Sequence, residues 1–287
     1  MSRAETRQLY VLVGDIGGTN SVLELCSEHS GNVRDERESV YRSGDFADFD
    51  ALLDRFFADA GIRAGDVAAA CFSVAGPVEG GVCMMTNLNW RIDESALSAR
   101  YRIPVVRLLN DFAAVGHGIA TLGEHDVLTL QRGTAQPHGT RLVVGAGTGL
   151  GVCILNWQGN GYAVHSSEAG HADLAVHSLK DVPMDMPEGV SWERIVSGPG
   201  LLRIFSFLQN TSAGAPSRQL LEAMQKQDGA AAIAEFAAGK LDPLAVRALD
   251  LFVAVYGAFA GNMALMTLSR GGVYIAGGIA RKIAAKM

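Results

Sequence analysis

Asp15-Ile16-Gly17-Gly18-Thr19-Asn20 stands between two apolar runs, Leu9 to Val13 and Val22 to Leu25. The same arrangement returns as Gly145-Ala146-Gly147-Thr148-Gly149-Leu150-Gly151, between Leu142 to Val144 and Val152 to Leu155. Each stretch reads as a β-hairpin with a glycine-lined tip. Glycine at such a tip allows backbone angles closed to other residues and lets amide N–H groups approach an anion. One such turn needs nothing beyond turn chemistry. Two, with Asp15 on the first and Thr148 on the second, point to a polyphosphate gripped from both sides. Neither stretch ends in Gly-Lys-Ser/Thr and neither opens a helix, which excludes a Walker A loop and a dinucleotide fingerprint.

The remaining sequence sets the frame around these turns. A chain of 287 residues, 48% of them hydrophobic, can bury a large core and suggests two domains of about 100–200 residues. A net charge of −6 excludes a broad basic surface for nucleic acid. Cys26, Cys71, Cys83 and Cys153 are dispersed, with no Cys-x-x-Cys pair and no Cys/His cluster at zinc spacing, and they read as small buried thiols of a reducing cytosol. Met1 to Gln8 is polar and lacks the apolar core of a secretion signal. Leu249 to Leu268 approaches the length of a membrane span and contains Gly257 and Gly261 at dimerisation spacing. Asp250 and Asn262 fall inside it, however, so it reads as a buried helix rather than a span, and no membrane partner is expected.

Strands and helices alternate along the chain. A helix is expected from Phe46 to Ala60, with Phe49, Leu52, Leu53 and Phe56 on one side. Strands are expected at Val67 to Val74 and Val105 to Leu109, with a helix from Phe112 to Leu122. Gly159 to Gly161, Asp181 to Gly189 and Thr211 to Ser217 read as loops. This is an α/β pattern in two subdomains, 1–121 and 122–287, each opening on a glycine hairpin, with the cleft between them as the natural ligand site.

Asp111 follows the strand ending at Leu109 and precedes a helix. Locally, an N-cap aspartate and a reacting carboxylate are equally good readings of it. Asp15, a carboxylate on a phosphate turn, would repel the nucleotide unless a cation lay between them, which implies Mg²⁺ held through water. The alternative is a turn aspartate bonded to its own backbone. The Thr148 hydroxyl suits a phosphate oxygen, and Thr19 can serve likewise.

These residues resemble a known family. Asp15 to Asn20 and Gly145 to Gly151 are similar to the two phosphate motifs of the hexokinase, actin and Hsp70 superfamily. Further matches narrow the resemblance to bacterial glucokinases of the non-zinc type: Thr86 to Trp90, Asn110-Asp111-Phe112, Glu168-Ala169-Gly170-His171, Glu193 to Gly200, and Gly271 to Ile279, all in the family's order. The resemblance implies a two-domain ribonuclease H-like ATPase fold, of the actin and hexokinase type. It implies a cytoplasmic enzyme that phosphorylates D-glucose at the 6-position with ATP and Mg²⁺, leaving room for a homodimer.

By the same resemblance Asp111 is the general base, and Asn110, Asp111, Glu168, His171 and Glu193 hold the sugar. Asp15, Gly17, Gly18, Thr19, Asn20, Gly147, Thr148 and Gly149 face the phosphates, and Gly277 and Gly278 face the adenosine. Unaided, Glu193 also reads as a first-turn helix residue and His171 as a loop histidine. Trp90 is expected in the core or at a hinge.

Two features depart from the family. Val22 stands where relatives carry an arginine, and the chain stops at Met287, inside the helix expected after the adenosine motif. Relatives continue with a strand, a loop and a terminal helix, so nucleotide closure is expected to be incomplete. The competing readings are a kinase for another hexose or phosphoryl donor, and an inactive sugar-binding sensor.

Overall fold

The computed structural model describes residues 9–29, 32–85, 87–123, 125–174, 190–211 and 214–287. They gather into two compact units, one ending at Ala114 and the other beginning at Val115. The division falls inside the helix after Asn110, upstream of the expected 121/122.

In the first unit β1 (Tyr10–Ile16), β2 (Asn20–His29) and β3 (Asn32–Arg42) precede α1 (Phe49–Ala60) and β4 (Val67–Val74). Three short strands follow, β5 (Val78–Glu79), β6 (Val82–Met85) and β7 (Trp90–Asp93). Then come α2 (Glu94–Tyr101), β8 (Val105–Asn110) and α3 (Asp111–Ile119). The main sheet has the order β3-β2-β1-β4-β8, with β4 parallel to both β1 and β8. Alternation decides its buried face: Leu12 and Ile16, Leu23 and Leu25, Ala70, Phe72 and Val74, and Val106 and Leu108 are all buried.

Helix α1 lays Phe49, Leu52, Leu53 and Phe56 on that layer, each fully buried side chain contributing about 1.5–3 kcal/mol. It begins at Phe49 rather than Phe46, because the Asp48 side chain accepts the Ala51 N–H and caps it there. Trp90 is a core residue, 2% exposed and 6.3 Å from the Phe49 ring. Strand β3 had no apolar alternation to announce it. Arg34, Asp35, Glu36, Arg37 and Glu38 line this outermost strand, and such charges protect a sheet edge from pairing with another chain.

The second unit contains β9 (Arg141–Ala146), β10 (Leu150–Trp157) and β11 (Tyr162–Ser167). The helices α4 (Trp192–Ile195), α5 (Gly198–Thr211), α6 (Arg218–Lys226), α7 (Gly229–Ala238) and α8 (Pro243–Thr267) follow, then β12 (Gly272–Ala276) and α9 (Gly278–Ile283). Its sheet has the order β11-β10-β9-β12, with β12 parallel to β9. Helix α8 contains the apolar stretch expected as a core helix. It is long and apolar enough to cross a membrane, yet it packs on α5, α7 and β9 and buries Leu249, Phe252, Val255, Tyr256 and Phe259. It starts six residues before Leu249, where Asp242 accepts the Leu244 and Ala245 N–H groups.

Gly159 to Gly161 forms the β10–β11 turn, and the break after Thr211 ends at Ser217, which caps α6. The expected loop Asp181 to Gly189 lies outside the described residues. All four cysteines are free thiols within strands. Burial pushes the Cys153 thiol up to about 12. Cys26 lies with the Glu24 and Asp35 carboxylates, and burial first, then those two charges, raises its pKa so that it keeps its proton.

Candidate active site

The first glycine stretch is the expected hairpin. Strands β1 and β2 pair as far as Ile16 opposite Ser21, and the Gly17 N–H donates to the Asn20 carbonyl at 3.0 Å. Gly18 faces Asn87. The turn is pinned from elsewhere in the chain. The Ser43 N–H donates to the Thr19 carbonyl at 3.0 Å, its hydroxyl donates to the Gly17 carbonyl at 2.7 Å, and it meets the Ser21 hydroxyl at 2.9 Å. Thr19 and Asn20 are exposed at the tip, and Asp15 is an exposed residue of β1 just before it. Asp15 Oδ1 accepts from the Ser73 hydroxyl at 3.2 Å, a partner on β4 rather than the aspartate's own backbone.

The parallel register carries this row to the candidate base. Ile16 lies opposite Val74, and Val74 opposite Asn110, so β1, β4 and β8 end level with one another. The carboxyl edge of parallel strands is where ligands of open α/β sheets bind. Asp111 is exposed as the first residue of α3, one position earlier than expected. The capping role falls to Asn110. Its carboxamide oxygen accepts from the Phe112 and Ala113 N–H groups at 3.0 and 3.3 Å, while its nitrogen donates to the Gly76 carbonyl. The Asp111 carboxylate accepts the Phe112 N–H at 2.8 Å, and since the Asn110 oxygen takes both the Phe112 and Ala113 N–H groups, the N-cap reading is corrected in favour of Asn110.

In the second unit β9 and β10 form the other hairpin, with the Gly147 N–H donating to the Gly149 carbonyl at 2.8 Å and Thr148 exposed at the tip. Two long-range bonds hold it. The Gly198 N–H donates to the Gly147 carbonyl at 2.8 Å, and Glu193 Oε2 accepts the Leu150 N–H at 2.9 Å. The other oxygen, Glu193 Oε1, lies 3.8 Å from His171 Nδ1, and His171 Nε2 lies 3.6 Å from Glu168 Oε2. Glu193 does stand in the first turn of α4, yet its carboxylate reaches 43 residues back along the chain.

Glu168 and His171 are 77% and 61% exposed and Glu193 is 31% exposed, so the triplet opens outward from a partly shielded base. Gly170 makes the grouping possible, because a Cβ there would collide with the Leu150 carbonyl. At the carboxyl end of β12, Gly277 has φ +89° and lies against the Ala146 backbone, where any side chain would meet the Ala146 carbonyl at 2.6 Å. Gly278 then opens α9.

Acceptors and donors separated by one imidazole suit neighbouring hydroxyls, and glycine turns with exposed threonines suit phosphates. Among residues not anticipated, Ser43 and Ser73 lie far from the turns in sequence and carry no local signal, and Ser197, Arg194 and Arg203 border Thr148.

The chain is similar to known proteins along most of its length. A family model described as glucokinase matches residues 12–287. A glucokinase of Nostoc sp. is 41% identical over 292 residues, covering 95% of this chain and 85% of its own length. One from Synechocystis sp. is 39% identical over 299 residues, covering 95% and 84%. Among solved structures, a glucokinase from an Antarctic psychrotroph superposes with a TM-score of 0.80 at 26% identity, covering 96% of this chain and 85% of that one. A ROK-family glucokinase from Streptomyces griseus, in complex with glucose and AMPPNP, has the same fold at a TM-score of 0.62 and 21% identity, covering 96% and 86%. With a family model along nearly all of its length and relatives near 40% identity over 95% of it, this chain belongs to the glucokinase family.

Proposed function

We propose that this chain transfers the terminal phosphoryl group of ATP to the 6-hydroxyl of D-glucose, with Asp111 as general base. The observation that carries the reading is Glu193, one of whose oxygens holds the second glycine turn while the other faces His171 and, through it, Glu168. A recognition group for hydroxyls is thereby built onto a phosphate turn.

Phosphoryl transfer asks a protein mainly to align the attacking and leaving oxygens and to offset charge. The Asp111 carboxylate orients the 6-hydroxyl and takes its proton as the bond to phosphorus forms, a contribution of about 10²–10⁴-fold. Asn110, Glu168, His171 and Glu193 hold the remaining hydroxyls. The N–H groups and hydroxyls of Gly17 to Asn20 and Gly147 to Gly149 receive the phosphates, and Gly277 and Gly278 give the adenosine a flat backbone wall. The exposed Asp15 carboxylate, one oxygen of which accepts from Ser73, would hold Mg²⁺ through water as a hard oxygen donor. When bound, the ion neutralises phosphate charge. Four free thiols support a reducing, cytoplasmic setting.

A coupled assay for sugar phosphate with glucose, mannose and fructose, each with ATP and with inorganic polyphosphate, tests this. Turnover highest with glucose and ATP is expected. A preference for another sugar or donor moves the assignment within hexose kinases, and glucose binding without turnover makes the chain a sensor.

A further inference from the structure

We propose that Arg203 and Arg194 bind the phosphate chain of the nucleotide, an assignment that rests on the reaction proposed above. Beside the tip of the second glycine turn lies a pocket of about 290 Å³ lined by Thr148, Glu193, Arg194, Ser197, Pro199 and Arg203. The turn contributes Thr148, and the rest comes from α4, α5 and the short link between them. The start of α5 presents the positive end of its dipole here.

Its amides, however, are engaged. The Gly198 N–H donates to the Gly147 carbonyl, Pro199 has none, the Gly200 N–H donates to the Ser197 hydroxyl at 3.1 Å, and the Leu201 N–H donates to the Ser197 carbonyl at 2.9 Å. An anion entering the pocket therefore meets no unsatisfied N–H at the helix end. Its donors must be side chains, and the Glu193 carboxylate on the same wall has to be outweighed.

Arg203 meets that need. It sits one turn beyond Pro199 on α5, and its Nη1 donates to the Arg194 carbonyl at 3.0 Å, which fixes the guanidinium at the pocket wall. A guanidinium carries five N–H donors in a plane, so a fork anchored through one of them still presents others in the geometry that phosphate oxygens accept. Arg194 adds a second positive charge to the same lining. Two arginines next to the Thr148 hydroxyl suit a polyphosphate, whose several charges need more than one cation, better than a neutral sugar. The nucleotide is the source favoured over the sugar phosphate product, because the pocket adjoins the tip of the turn rather than Glu168.

Calorimetric titrations of the parent chain, Arg203→Ala, Arg203→Lys and the Arg194→Ala/Arg203→Ala double variant with MgADP, glucose 6-phosphate and glucose test the assignment. Arg203→Ala should weaken MgADP binding about tenfold, the double variant further, and lysine should recover part of the loss, with glucose binding unchanged throughout. Equal MgADP affinity in the parent and the double variant overturns the proposal. So does a loss confined to glucose 6-phosphate, or one shared equally by glucose, which would mark general damage to the unit. Formation of glucose 6-phosphate from glucose and ATP by the parent is measured separately. A parent that binds MgADP through these arginines but makes no sugar phosphate refutes the reaction and leaves the pocket assigned, whereas a parent that binds no MgADP overturns both.

Discussion

Glu193 and Leu150, 43 residues apart in the chain, are joined by a 2.9 Å hydrogen bond from the Leu150 N–H to the Glu193 carboxylate. The same carboxylate approaches His171 with its other oxygen. Any loss at Glu193 should therefore reach the sugar and the phosphates together. Glu193→Ala is expected to raise KM for both glucose and ATP about tenfold. Glu193→Gln, which still offers an oxygen to the Leu150 N–H, should raise KM for glucose alone. Steady-state kinetics with each substrate varied in turn separates the cases, and an ATP effect of equal size in both variants would break the proposed link.

Glu168→Gln and His171→Ala bear on the sugar only. Each should weaken glucose binding about tenfold by calorimetry while MgADP affinity stays within about twofold. Unchanged glucose affinity in both variants would remove these residues from the site.

Asp111→Asn keeps the shape of the side chain and some of its hydrogen bonds but cannot accept a proton. Turnover should fall by about 10²–10⁴-fold with glucose affinity little changed. Asn110→Ala should weaken glucose binding and also register as lost stability of about 0.5–2 kcal/mol, because the cap of α3 resides there. Turnover of Asp111→Asn within tenfold of the parent would end the general-base assignment.

Asp242, 1% exposed at the start of α8, predicts a pH dependence. Burial acts to raise its pKa. Hydrogen bonds from the Ser217, Ala245 and Leu244 N–H groups outweigh burial and hold the carboxyl below its usual value of 3.8. A depressed folded-state pKa stabilises the protein above the unfolded value, and that stabilisation is lost as pH falls through the folded one. Asp242→Asn places an amide N–H₂ against a backbone N–H and should lower Tm at pH 7. The gap between parent and variant should close as pH falls below about 4. A gap independent of pH from 7 to 3 would show that charge plays no part in the cap.

Gly170→Ala would drive a methyl group into the Leu150 carbonyl and should cost about 1–3 kcal/mol, together with weaker glucose binding as Glu168 and His171 shift. Gly118→Ala, with open space around it in α3, serves as the control and should not destabilise. Equal thermal midpoints for Gly170→Ala and the parent would show that the loop yields at no cost.

Much of this arrangement was legible in the sequence because its signals are local. Glycines between alternating apolar runs specify hairpins, and Asn110-Asp111 at the junction of strand and helix marks a strand's carboxyl end. What escaped notice depends on partners distant in the chain. Ser43 pins the first turn from 26 residues away, and Glu193 anchors the second. Asn110 takes the cap because its carboxamide also reaches Gly76, a contact set by the sheet order. Strands β5 to β7 escaped because two to four residues are too few to display a period, and β3 because its run of charged residues carries no apolar alternation.

The level ending of β1, β4 and β8 also bears on which sequence changes a lineage can tolerate. Ile16, Val74 and Asn110 are aligned by backbone pairing, so substitutions on the outward face of β8, such as at Val105 or Arg107, leave the height of Asp111 untouched. Deleting one residue between Val105 and Asn110 would draw Asp111 about 3.3 Å along the strand and turn β8's core side chains to the opposite face. Variation in this segment should consequently run through replacement at constant length, with insertions and deletions confined to the connection before Val105.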